Sequence, residues 1–215
     1  RVCHSVAANG SRLVTNSFQY TTSVFENLFN PGGGTEALLN PPASNTARYS
    51  WPAIYPDGSL LLTNRSTGGW EGSNERNRLY GLLPANRGVE QTSVGLTTAG
   101  MTMPTFSPDG SRVAFNFSSG AIAGKNGDAR SLAIATFTRA TGTFSGYTLL
   151  DLLAGTTKTA VWPTFLPSGN EVVYQRELRN NTRDFGGTRS DCEGHNSLAP
   201  YDWCHERGST GELWY

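Results

Sequence analysis

A chain of 215 residues with 17 basic and 17 acidic side chains carries no net charge, so it lacks the positive field that nucleic acid or an anionic membrane surface requires. Its composition, 37% hydrophobic and 11% aromatic with 25 glycines, suits strands joined by tight turns and argues against long helices. No apolar run approaches the roughly 20 residues of a membrane-spanning helix.

The first element opens at Cys3 as CHSVAANGSRLV, where Asn9-Gly10 marks a turn between two short strands. The Pro31-Gly32-Gly33-Gly34 run has no Lys-Ser/Thr after it and reads as a hairpin turn, not a phosphate cradle. The outline of the first element returns as WPAIYPDGSLLL from Trp51, MPTFSPDGSRVA from Met103 and WPTFLPSGNEVV from Trp162, with starts 48, 52 and 59 residues apart. Repetition at this spacing means units that bury their faces only by stacking on neighbours. In Pro108-Asp109-Gly110, proline presets φ, aspartate bonds its own backbone ahead and glycine accepts positive φ, which predicts a tight hairpin.

Strands are predicted at Pro104 to Phe106 before that turn, at Arg112 to Phe117 after it, and at Glu171 to Gln175 in the last unit. A second pair, Ser131 to Phe137 and Tyr147 to Leu152 about the turn Ala140-Thr141-Gly142, completes the unit. Four strands per unit is the count of a propeller blade. The expected fold class is therefore all-β: a β-propeller over residues 1–215 with four four-stranded blades, repeats starting at about 3, 51, 103 and 162, and the last blade incomplete. Gly211 to Tyr215 reads as the third strand of that blade, and Arg1 falls inside a motif, so the expectation is a segment of a larger propeller.

The Pro-x-aromatic-Ser-Pro-Asp-Gly pattern, clearest at Pro104 to Phe115 and close at Pro52 to Leu62 and Pro163 to Tyr174, resembles the WD40-like, TolB-type β-propeller repeat. Two departures stand out: Ser168-Gly169 replaces Asp-Gly in the last copy, and the first copy has Asn9-Gly10 and neither proline. The resemblance implies a bacterial, periplasmic or extracellular scaffold that binds other proteins through loop ends and a central channel. Propellers host many activities, so the pattern speaks to fold first.

Aligned on their turns, the copies set Cys3-His4 where the others carry Trp51-Pro52, Met103-Pro104 and Trp162-Pro163. Arg1-Val2-Cys3-His4 also forms the last four residues of C-x-x-C-H, the attachment site of haem c, and a cysteine before Arg1 would complete it. The resemblance then extends to propellers whose first blade opens with such a motif, with Cys3 bonded to a vinyl group and His4 as the proximal iron ligand. Met101, Met103, His195 and His205 are the other Met and His residues, and no spacing singles one out as the sixth ligand. The alternative is a buried cysteine beside a hydrogen-bonded histidine, or a cysteine paired elsewhere.

An insertion at 179–210 lengthens the fourth blade between its second and third strands. Three cysteines are an odd count; Cys192 and Cys204 are expected to form a disulfide across this loop in an oxidising compartment, leaving Cys3 over. Zinc held by Cys192, His195, Cys204 and His205 is the rival reading, although adjacent Cys204 and His205 make an awkward pair on one ion. Asp184, Asp191, Glu193, Asp202 and Glu206 read as solvated charges, and Tyr201 and Trp203 as aromatic anchors for a protein partner.

Neither G-x-S-x-G nor H-E-x-x-H occurs, so no catalytic constellation is assigned and the question of an enzyme stays open. The sequons at Asn9, Asn64, Asn116 and Asn180 are coincidental in a bacterial chain. Three functions remain: a scaffold for protein binding, a haem-bearing subunit of a multi-subunit electron-transfer assembly, and the non-catalytic propeller of an enzyme whose catalytic domain lies outside these residues.

Overall fold

The structure, a computed structural model, describes residues 3–16, 22–28, 34–39, 51–65, 76–96, 98–127, 130–153, 156, 158–178 and 211–215. Four antiparallel sheets follow one another along the chain. The first runs β1 (Cys3–Val6), β2 (Arg12–Asn16), β3 (Thr22–Glu26), β4 (Thr35–Leu38), each strand beside the next. The second is β5 (Pro52–Ile54), β6 (Leu60–Arg65), β7 (Arg76–Gly81). The third pairs β8 (Ala99–Phe106) with β9 (Arg112–Ile122), and then β11 (Leu132–Thr138) with β12 (Thr143–Asp151); a two-residue β10 (Lys125–Asn126) folds back on the end of β9. The fourth is β13 (Lys158–Phe165), β14 (Val172–Leu178), β15 (Gly211–Trp214). The leading strands β1, β5, β8 and β13 pack side by side in that order, so the sheets radiate from them as blades. No helix among the described residues is long and apolar enough to cross a membrane.

One turn geometry opens every blade. Gly10, Gly58, Gly110 and Gly169 donate to the carbonyls of Ala7, Tyr55, Ser107 and Leu166, each at 2.8 Å. All four have φ between 66° and 78°, the left-handed region that glycine enters without a steric penalty. The residue before each glycine caps the turn: Asn9, Asp57 and Asp109 accept from the amides of Ser11, Ser59 and Ser111, and the Ser168 hydroxyl accepts from Asn170. Serine replaces aspartate in the last copy because its short oxygen reaches the same amide.

Middle strands are buried on both sides, which is why they read as continuous apolar runs. Leu60 and Leu62 join a core shared with Phe106, Val113, Phe115 and Phe117 of the third blade, whereas Leu61 between them joins Ala7, Val14 and Val24 of the first. Alternation along one strand thus glues two different interfaces. The third and fourth blades meet through Leu132, Leu153, Ala160 and Tyr174.

Two features differ from the sequence reading. After β7 no regular fourth strand is described in the second blade. The chain instead meets β7 through isolated bridges at Gly81–Arg87 and Tyr80–Glu90, with Gly81 donating to Val89 at 2.9 Å and Gln91 to Leu79 at 2.7 Å. Pro84 and Gly88 break the run, and Arg87 reaches across to Glu26 of the first blade at 2.7 Å, which draws the segment off the ladder.

The second difference lies in β8 and β13, which are longer than predicted and each carry a bulge. Thr102 and Thr105 face Asn116 and Ala114, and Val161 and Thr164 face Gln175 and Val173, so Met103-Pro104 and Trp162-Pro163 each oppose one residue. Met103 and Trp162 sit at φ 50° and 53°. A residue before proline ordinarily reads as extended, so the sequence reading missed both bulges.

Candidate functional site

The leading strands line a groove of about 600 Å³. Every blade contributes to it: Trp51, Met103 and Trp162 at the entry of the later units, and His4, Pro52, Pro104 and Pro163 at the register position that follows. Among the described residues that line it, His4 is the one ionisable side chain. Hydroxyls of Ser5, Thr105, Ser107 and Thr164 supply its polar side chains, and no amide or carboxylate side chain joins them.

The two bulged positions are used differently. Met103 is 4% exposed and packs with Trp51, 8% exposed, and Val161 in a small core beneath the groove. Trp162 has the same left-handed backbone but is 45% exposed. That conformation costs an ordinary residue about 1–2 kcal/mol. In the third blade a buried methionine offsets it; in the fourth, Trp162 is half-exposed.

The turn aspartates Asp57 and Asp109 directly follow Pro56 and Pro108, which line the groove. Bonds from the Ser107 hydroxyl at 2.6 Å and from the Ser111 amide at 3.0 Å and hydroxyl at 2.7 Å hold Asp109 down to a pKa of about 2, so it is a permanent anion engaged in its own turn. Ionised groups elsewhere tie blades together. Burial opposes ionisation of Glu26, yet bonds from Arg12 and Arg87 outweigh it and keep its carboxyl below the ordinary range. Asp151 accepts from Tyr174 and from Arg176, both at 2.7 Å, and Arg176 lies 3.5 Å from the centre of the Trp214 ring. Burial, and then that carboxylate, push Tyr174 up to about 12, so it remains a donor and a staple between the third and fourth blades.

Of the residues singled out from sequence, His4 lies exposed on the groove wall and Met103 lines its base; Met101 is buried, its amide donating to Asn77 Oδ1 at 2.8 Å. Cys3 belongs to β1, opposite Asn16. The insertion at 179–210, with Cys192, His195, Tyr201, Trp203, Cys204 and His205, lies outside the described residues. Among the described residues, no three His, Cys, Asp or Glu side chains converge as metal ligands. Sequence reasoning missed Trp162 as a groove residue of its own; the signal was its Trp-Pro pair, shared with Trp51, where only local context separates a buried indole from an open one.

Radial antiparallel sheets of three to five described strands, with leading strands around a shared groove, define a β-propeller. One solved structure agrees on the fold: TolB from Acinetobacter baumannii is similar with a TM-score of 0.50 and 13% identity over 82% of this chain and 39% of that one. An oligogalacturonate lyase from Vibrio parahaemolyticus gives 0.48 and 13% over 81% and 46%, and a puromycin hydrolase mutant complexed with PGG gives 0.47 and 18% over 77% and 25%. At such identities the likeness to TolB is one of fold, and the chain spans less than half the length of each of these proteins. No protein-family model and no curated protein matches the sequence.

Proposed function

We propose that this propeller is an extracytoplasmic scaffold that binds a protein partner through the groove on its leading strands and through the 179–210 insertion. The observation that carries the reading is the groove to which all four leading strands contribute, walled by proline, aromatic, aliphatic and hydroxyl side chains with His4 as the one ionisable group among its described lining residues. Aromatic anchors in concave, largely uncharged surroundings dominate binding energy at protein interfaces. Tyr201 and Trp203 extend the contact from the insertion, with Cys192 and Cys204 joined across it. The odd cysteine count and the resemblance to the TolB-type repeat support a periplasmic or extracellular location.

The test is capture of a partner by the intact protein, followed by titration with that partner purified. A saturable complex that weakens when Tyr201 and Trp203 are both changed to alanine supports the scaffold. A purified candidate that shows no saturable binding, from every capture attempted, overturns it.

The exposure of His4 on the groove wall favours one rival, a covalent haem on Cys3 with His4 as its axial ligand. Such a group would supply one-electron chemistry. A pyridine haemochrome spectrum of the intact protein decides between the two: the haem c bands establish the rival, and their absence removes it.

A further inference from the structure

We propose that Asn126 is a site of spontaneous covalent modification, the loss of its side-chain ammonia to give aspartate or isoaspartate, and that the fold protects Asn9 from the same reaction. The chain contains two Asn-Gly pairs, Asn9-Gly10 and Asn126-Gly127. Asparagine is among the chemically labile side chains. A following glycine favours the reaction most, because no Cβ hinders the approach of its amide nitrogen to the carboxamide carbon. The glycine amide gives up its proton and its nitrogen bonds to Cγ; the Cγ–Nδ2 bond breaks and ammonia leaves with that proton. A five-membered imide remains. Water then opens it at either carbonyl, leaving aspartate or, with the main chain rerouted through the side chain, isoaspartate.

Both asparagines are exposed, so access to water does not separate them. Bonding does. Asn9 caps the first opening turn, and both ends of its carboxamide are held: Oδ1 accepts from the Ser11 amide at 2.9 Å, and Nδ2 donates to the Asp57 carbonyl of the second blade at 3.1 Å. The attacking nitrogen is held as well, Gly10 donating to Ala7 at 2.8 Å. Cγ can reach that nitrogen only after the turn and the contact between blades have opened. Asn126 ends the two-residue β10, whose positions pair with Ala121 and Ile122 and are both exposed. Among the described residues no side-chain hydrogen bond restrains its carboxamide, and one backbone bond, from Gly127 to the Gly120 carbonyl at 3.0 Å, follows the last pair. A strand this short opens locally at little cost, whereas the first turn opens only with the joint it serves. Isoaspartate adds a main-chain carbon opposite Ala121 and so breaks the register beside Ile122, which is buried in the core shared by the second and third blades.

The test is incubation of the intact protein at mildly alkaline pH, followed by digestion and mass spectrometry with fragmentation that separates aspartate from isoaspartate. Conversion at Asn126 is expected to run about tenfold faster than at Asn9 or more, and Gly127→Ala to slow it about tenfold while Asn9 is unaffected. In protein unfolded by guanidinium the two sites are expected to react at similar rates, which assigns the difference to the fold. Conversion of Asn9 in the folded protein as fast as that of Asn126 overturns the inference. So does an intact Asn126 over a period in which the unfolded chain converts, an Asn126 rate untouched by Gly127→Ala, or the same disparity between the sites in the unfolded chain. The scaffold reading stands or falls separately, on partner binding.

Discussion

Asn116 lies wholly buried in β9, and its side chain joins two blades: Nδ2 donates to the carbonyl of Ala160 at 2.7 Å, and Oδ1 accepts from Thr102 at 2.9 Å. Asn77 does the same one interface earlier, bonding both the amide and the carbonyl of Met101 at 2.8 Å. In the sequence Asn116 reads only as one residue of a predicted strand and as a sequon, and Asn77 is not singled out, because the partners that give them their role lie on another blade. Asn116→Ala leaves a buried carbonyl and a hydroxyl without their partner, and the loss expected in urea unfolding is about 1–3 kcal/mol. Asp109 carries a second prediction. Its carboxyl titrates at about 2, below the ordinary 3.8, so its contribution is complete above the ordinary value and disappears as pH falls toward 2. Asp109→Asn keeps an acceptor for the Ser111 amide, as Asn9 shows for Ser11, but has no proton to gain. Acid unfolding of the two should therefore differ above pH 4 and converge below about 2.

At the scale of the element, the opening turn was legible because all of its determinants are local: a short polar cap, glycine at positive φ and a flanking strand pair. Proximity to the neighbouring blade was not. The glycine of each following turn also nests against the turn before it, and a Cβ on Gly58 would meet Ser11 Oγ while one on Gly110 would overlap the Tyr55 ring. Gly124 separates the two effects, since it has φ 73° but open space around it. Gly124→Ala is expected to cost about 1 kcal/mol for conformation alone. Gly110→Ala, at φ 74°, should cost a further 1–3 kcal/mol or so for the clash, read from denaturant midpoints. The bulges in β8 and β13 and the irregular edge after β7 were illegible for the same reason as the nesting: a buried neighbour, or an ion pair such as Arg87 with Glu26, overrides the local preference.

Among the described residues, the contacts between leading strands run from each blade to its neighbour, as in stacked repeats. Arg12 donates to the Gly58 carbonyl at 3.2 Å, and Arg112 to the Gly169 carbonyl and to Asn170 Oδ1 at 3.1 Å. Arg112→Ala is expected to speed hydrogen exchange in β13 and β14 while β1 to β4 keep their protection; uniform loss across all four sheets would contradict nearest-neighbour coupling. The groove's existence followed from the repeat, since equivalent positions of stacked units must converge, but its contents depended on which side chain each bulge exposes.

The joints are not interchangeable. An arginine bridges the first and third, whereas the second has Leu60 at that position and is closed by Tyr55 against Gly110, with Arg139 5.7 Å above the tyrosine ring and 3.2 Å from Ser59. Look-alike sheets in one chain risk docking in the wrong order, because every turn resembles every other. Here a phenol needs the bare notch of the third turn, and a guanidinium needs a free carbonyl on the second or fourth. Alternating fastenings on similar units thus narrow the successors that each sheet accepts, and that part of the order of assembly is encoded in side chains the repeat pattern leaves variable.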